Sequence, residues 1–300
     1  MRQSHLLAIL ISLAVSTARG TDFRDLPRDV VPQLTFGGAF IVPNEAGFAA
    51  YANATRDKGG ALISVGTFRA LMLASYGKFS EVVLFDVDPK VVAFNELQIE
   101  ALKVAENVSE FLASIERLAN GDLVVRARDY VERVSKLAVS DDGSGFMKNP
   151  DAYLRLRQLA LDGKIHAVNG DLAGNSTLIA IGDRLRKKGV FISVFDVSNS
   201  LYYILGHKRD QELVENFGKL PFTRDAVVNF TSEIDGNPGR HWNSWSYYSV
   251  PARVYIRAAN HFSSSRAAET AFAKTLFGTS ADLTEKTCPV LFGGKRGGLK

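Results

Sequence analysis

Between Ala61 and Pro89 the chain reads ALISVGTFRALMLASYGKFSEVVLFDVDP. An apolar run closes on Ser64-Val65-Gly66, a helical pattern follows, and a second apolar run, Val82 to Phe85, closes on Asp86. Strand, glycine turn, helix, strand and acid form the first half of a nucleotide-binding α/β unit. The turn of such a unit brings backbone N–H groups and a helix N-terminus up to a ligand, and the acid accepts hydrogen bonds from ribose hydroxyls.

The same alternation continues downstream. Helical spacing occupies Lys90 to Ala105 and Val108 to Leu118, and Leu123 to Gly145 is charged and ends in a turn. A helix from Pro150 through Leu161 leads to a strand at Ile165 to Val168, and a helix from Ser176 to Lys188 leads to the apolar strand Val190 to Phe195. Ala226 to Phe230 reads as a further strand, Val250 to Arg257 as an edge strand, and Ala267 to Phe277 as a last helix. The pattern predicts an α/β fold with a doubly wound, mostly parallel, Rossmann-like sheet. Residues 21–300 are expected to form one domain. Residues 106–150 are a helical insertion after the second core strand, of the kind that commonly caps a site.

The first twenty residues are of another kind. Arg2, the apolar stretch Leu6 to Val15 and Ser16-Thr17-Ala18 fit a secretory signal peptide spanning residues 1–20, cut after Ala18 or Gly20. The stretch is too short to span a bilayer, so no stable membrane anchor is expected after cleavage, and the product is exported, periplasmic or secreted. With Cys288 the only cysteine, no internal disulfide can form, and the fold rests on a core drawn from 46% hydrophobic residues. The formal charge of +4 is spread out, with no basic stripe to suggest a nucleic-acid partner. The five histidines show no metal-ligand spacing, and no metal is expected. Of the sequons at Asn53, Asn107, Asn175 and Asn229, the last falls in what reads as a buried strand. The aromatic run His241 to Tyr248 reads as a loop packed on the sheet edge, with stacking of a sugar or base as its other use.

In an open α/β sheet, ligands bind beyond the carboxyl ends of the strands. Four strand ends here carry polar groups for one shared rim: Gly66 and Thr67, Asp86 and Asp88, Asn169 to Asp171, and Asp196 to Asn199. A glycine turn, an acid after the second strand and Asn-Gly-Asp-Leu after the third resemble the fold of S-adenosylmethionine-dependent methyltransferases. More closely, the chain is similar to an uncharacterised bacterial methyltransferase-like family. The likeness runs over most of residues 34–231 through Asn44-Glu45, Val65-Gly66, Val87 with Asp86, Gly170-Asp171-Leu172-Ala173-Gly174, and Ser198-Asn199 with Tyr202-Tyr203. The first motif departs from the methyltransferase pattern, keeping one glycine ahead of Thr67-Phe68-Arg69.

That resemblance implies a small-molecule ligand, with S-adenosylmethionine as the candidate cofactor. Gly66, Thr67, Asp86, Gly170 and Asp171 would bind it, Asp86 at the ribose and Asp171 at the adenine edge. Asp196 or Asn199 would face a methyl acceptor, and Asn44, Glu45, Ser198 and Tyr203 would line the rim or pocket. In-line methyl transfer needs positioning above all, and a base only for a protonated acceptor. The alternative is a non-catalytic binding or interaction protein that kept the fold and lost the cofactor.

Overall fold

Six of the apolar runs become strands of one sheet. The computed structural model describes residues 23–30, 40–43, 49–138, 142–200, 209–233 and 245–262. A 3-10 turn at Phe23–Asp25 precedes α1 (Ala49–Thr55), β1 (Gly59–Val65), α2 (Phe68–Tyr76), β2 (Lys78–Asp86) and α3 (Pro89–Val104). Then come α4 (Val108–Leu118), α5 (Leu123–Leu137), α6 (Pro150–Leu161), β3 (Ile165–Asn169), α7 (Thr177–Lys187) and β4 (Ile192–Ser198). The described chain ends with α8 (Asp210–Gly218), β5 (Phe222–Glu233), β6 (Trp245–Pro251) and α9 (Ala252–Phe262).

The strand order is β3-β2-β1-β4-β5-β6, all parallel except the β5–β6 pair. The chain therefore winds outward from β1 to β3, returns to the middle, and winds outward again from β4. Side chains alternate across the pleat. Leu62, Leu84 and Val194 meet the layer holding α1 to α6, while Ile63, Phe85 and Phe195 meet α7, α8 and α9. This is the doubly wound, Rossmann-like architecture expected, with the switch in strand order between β1 and β4.

Local signals set the helix starts. Asp88 accepts from the Lys90 N–H and precedes Pro89, Asn107 accepts from the Glu110 N–H, and Asn149 accepts from the N–H groups of Asp151 and Ala152 ahead of Pro150. α2 carries no such side-chain cap and is buried along its whole length, Arg69 included. It is held by packing on every side.

Some expectations change. The charged region after Leu123 is α5, whose Ala127, Tyr130, Val134 and Leu137 recur at helical spacing and are buried. The edge strand lies earlier than Val250 to Arg257: it runs Trp245–Pro251, pairs antiparallel with β5, and gives way to α9. Tyr247 and Tyr248 consequently belong to that strand and not to a loop, with the Tyr248 ring stacked on Phe230 at 5.0 Å. The leader, Asn44-Glu45, Tyr202-Tyr203, Cys288 and the helix at Ala267 lie outside the described residues.

The described part of the insertion forms a wall of the core. Phe111, Ile115, Ala127, Tyr130, Val134 and Phe146 share one apolar cluster with α2 and α3. The Phe146 ring sits 5.8 Å from both Phe68 and Phe111, and its N–H donates to Ser75 Oγ at 3.0 Å. Phe146→Ala is expected to lower stability by about 3–5 kcal/mol within a single urea transition. A loss under about 1 kcal/mol, or a separate early transition, would show the insertion folding apart from the sheet.

Candidate functional site

The parallel order brings the ends of β3, β2, β1 and β4 to one edge, so the polar strand ends do share a rim. Register sets Asp86 beside Asn169 and Ser64 beside Asp196. What the side chains do there divides the rim into three parts.

On the β1–β2 side, Gly66 turns the chain with φ at +93°, a conformation open to glycine. A Cβ added there would meet nothing within 4 Å. Its carbonyl accepts from Asn95 Nδ2 at 2.9 Å, the end of a buried relay in which Tyr130 donates to Gln98 Oε1 and Gln98 Nε2 donates to Asn95 Oδ1. The insertion thus reaches the glycine turn through hydrogen bonds. Thr67 is buried, its hydroxyl donating to the Ile41 carbonyl at 2.8 Å. Asp86, 8% exposed, accepts from the Asp88 N–H at 2.9 Å and from the N–H groups of Gly66 and Val87. Burial pushes its carboxyl up to about 7, against the pull of those three donors.

In the centre, Asp196 is 0% exposed and does not face the rim opening as expected of a group meeting an acceptor. Arg69 holds it through two contacts of 3.1 Å, Nε to Oδ2 and Nη2 to Oδ1, and Ser64 Oγ donates to Oδ2 at 2.6 Å. Burial pushes the Asp196 carboxyl up, and the guanidinium and hydroxyl oppose it. The guanidinium also lies 5.8 Å from the centroid of the Tyr51 ring, whose hydroxyl donates to the Phe230 carbonyl at 2.7 Å. This pair bridges β4 and the start of α2, across the switch point. Beside it Ser198 has φ at +56°, the sole non-glycine residue with positive φ among the described residues, and its hydroxyl donates to Asn199 Oδ1 at 3.3 Å. A non-glycine residue held there is a conformational cost of the sort concentrated at functional sites.

On the β3 side, the Gly170–Gly174 turn is filled by the chain itself. Asp171 Oδ1 accepts from the Ala173 N–H at 2.9 Å and Oδ2 pairs with Arg209 Nη1. Asp29 reaches in from the N-terminal segment, accepting from the N–H groups of Ser176 at 2.9 Å, Asp171 at 3.1 Å and Thr177 at 3.3 Å. Its carboxylate occupies the space a Cβ on Gly174 would take, so glycine is required there by close approach. Gly170 likewise packs against Thr177 and the Phe85 ring. Asp171, expected at an adenine edge, is thus engaged within the chain by Arg209 and the Ala173 N–H.

Sequence reasoning missed Arg69, Ser64, Asn95, Asp29 and Arg209. A usable signal existed for Arg69, a lone cation in the otherwise apolar run Phe68-Arg69-Ala70-Leu71-Met72-Leu73. Among the described residues no cluster of three or more His, Cys, Asp or Glu is placed to hold a metal, and no helix is long and apolar enough to cross a membrane.

Comparison with known proteins adds a family. A family model described as "Domain of unknown function (DUF7790)" matches residues 40–125 and 120–256. No curated protein matches the sequence. Among solved structures, the rRNA methyltransferase aviRa from Streptomyces viridochromogenes is 14% identical, with a TM-score of 0.38 over 73% of this chain and 88% of that one. A likeness so distant carries no argument about activity.

Two measurements check this geometry. Arg69→Met leaves Asp196 buried without its partner and is expected to lose about 3–5 kcal/mol in urea unfolding, whereas Arg69→Met with Asp196→Leu recovers most of that loss. Equal losses in both would contradict the pairing. For Asp86, the folded carboxyl at about 7 stands above its ordinary 3.8, so between those values the folded state binds the extra proton. Through Asp86, stability accordingly falls as pH rises from about 4 to 7, by at most about 4 kcal/mol, and Asp86→Asn removes that share of the slope, leaving the share of Asp196, which burial also raises. Glu81 does not obscure the effect. Burial alone would raise it, but hydrogen bonds from His166 and Lys188 hold it at about 2, so it acts only at lower pH.

Proposed function

We propose that this chain, which belongs to the family described as a domain of unknown function (DUF7790), binds a small polar ligand of nucleoside type at the β1–β2 side of its rim. The observation that carries the reading is the pairing of Gly66, with open space where a side chain would be, and the Asp86 carboxyl at the end of the neighbouring strand. Asp86 has lone pairs left after its backbone contacts, and ribose hydroxyls are the donors that suit it.

S-adenosylmethionine fits this side better than the other. Asp86 would hold its ribose and the Gly66 turn would border it, while Asp171, tied to Arg209, offers nothing to the base. When bound, that group supplies a methyl carried on a sulfonium. Asp196 is not free to act as a base toward an acceptor, because its carboxylate is held by Arg69 and Ser64. An acceptor would need a lone pair available without deprotonation by Asp196. The apolar leader supports an exported protein, and the spread of positive charge gives no support to a nucleic-acid partner.

A second reading, a binding or interaction protein that kept the fold without the cofactor, is favoured by the Arg69–Asp196 bridge across the switch point. Calorimetric titration with S-adenosylmethionine and S-adenosylhomocysteine separates the two. The expected result is micromolar binding, weakened about 10- to 100-fold by Asp86→Ala. The affinity should also rise with pH through about 7, because hydroxyl donors favour the ionised carboxyl. No heat at millimolar ligand would leave the scaffold reading.

A further inference from the structure

Register lines up Ser64, Asp196, Asn229 and Ser249, one each from β1, β4, β5 and β6. Registered neighbours point to the same face of a sheet. Their pleat partners Leu62, Val194, Val227 and Tyr247 all pack on the side covered by α1 and α2. The row is thus a polar stripe across four strands beneath apolar helices.

Half of that stripe is satisfied within the chain. Ser64 and Asp196 bond to each other, and Arg69 completes them. The other half is not. Asn229 is 0% exposed, and neither its Nδ2 nor its Oδ1 has a hydrogen-bond partner. Ser249 Oγ, on the cross-strand neighbour, is closed off from solvent and likewise unmet. Thr55 Oγ1, at the end of the helix that packs on β6, is a third such atom.

A buried carboxamide with both ends unmet is costly, and native cores rarely keep one without a water, ion or ligand. The neighbouring charges decide which guest. Asp196 is already neutralised by Arg69, so a charged guest would lie unpaired in the interior, and a neutral one would not. Directly opposed antiparallel residues stand with Cβ atoms about 4.5–5.5 Å apart, within reach of one small bridging molecule.

We propose that Asn229 and Ser249 form an internal binding site for a small neutral guest that both donates and accepts hydrogen bonds. It lies level with the end of β4, on the opposite side of the Arg69–Asp196 pair from Gly66 and Asp86. Ordered water and the carboxamide end of a small molecule share this chemistry. The site stands whether or not the rim takes a nucleoside.

The test combines a high-resolution crystal structure of the protein, grown with and without acetamide, with thermal unfolding of Asn229→Leu and Ser249→Ala. Density bridging the Asn229 carboxamide and Ser249 Oγ, and a Tm several degrees lower in each variant, are expected. A wild-type Tm raised by acetamide, with no response in Asn229→Leu, assigns the site to small amides; bridging density without that response assigns it to water. The proposal is overturned by the absence of density together with an Asn229→Leu Tm at or above that of the wild type. Should Asn229→Leu fail to fold, Ser249→Ala, which removes one hydroxyl, decides by the same criterion.

Discussion

A buried ion pair governs what this fold can do. In an open α/β sheet the crevice at the switch in strand order is the natural place for a ligand, and here Arg69 and Asp196 lie across it. The Arg69 guanidinium, through its Nε–H and the ion pair of Nη2 with Oδ1, together with the Ser64 hydroxyl and the Ser198 N–H, satisfies the carboxylate without solvent. Removing one partner would strand a charge in the core, so each depends on the other. The pair also ties the start of α2 to the end of β4, fixing the helix whose turn forms the remaining open part of the rim.

Around that partition the rim is unequal. Asp171 and the Gly170–Gly174 turn are engaged by Arg209 and Asp29, and so serve to fasten the N-terminal segment and the start of α8. Gly66 keeps open space where a side chain would be, and beside it the buried Asp86 carboxyl is poised near neutrality. The buried relay from Tyr130 through Gln98 and Asn95 braces the Gly66 carbonyl from behind. A ligand at the turn would therefore be felt first in β1, α3 and the insertion, through contacts already made.

The sheet was legible because parallel strands covered on both faces read as unbroken apolar runs closed by polar turns, as at Ala61 to Gly66 and Val82 to Asp86. α5 was not, since Arg126, Arg128, Asp129, Glu132 and Arg133 on its outer side mask a stripe at Ala127, Tyr130, Val134 and Leu137. The β6–α9 boundary was misplaced because Val250, Ala252, Val254 and Ile256 alternate like a strand, although Pro251 ends the ladder and a helix follows. That four polar strand ends lie along one sheet edge was readable; the occupation of its acids was not. Local pattern places Asp171 and Asp196 at a sheet edge, but their partners Arg209 and Arg69 come from elsewhere in the chain.

Hydrogen–deuterium exchange with and without S-adenosylhomocysteine tests the central claim most directly, because it reports which part of the rim a ligand meets. Slowed exchange at Ser64 to Arg69 and at Asp86 to Lys90, with the Gly170–Gly174 turn unchanged, is the expected result. Protection confined to Gly170–Gly174, or none anywhere on the rim, would contradict the assignment of the ligand to the β1–β2 side.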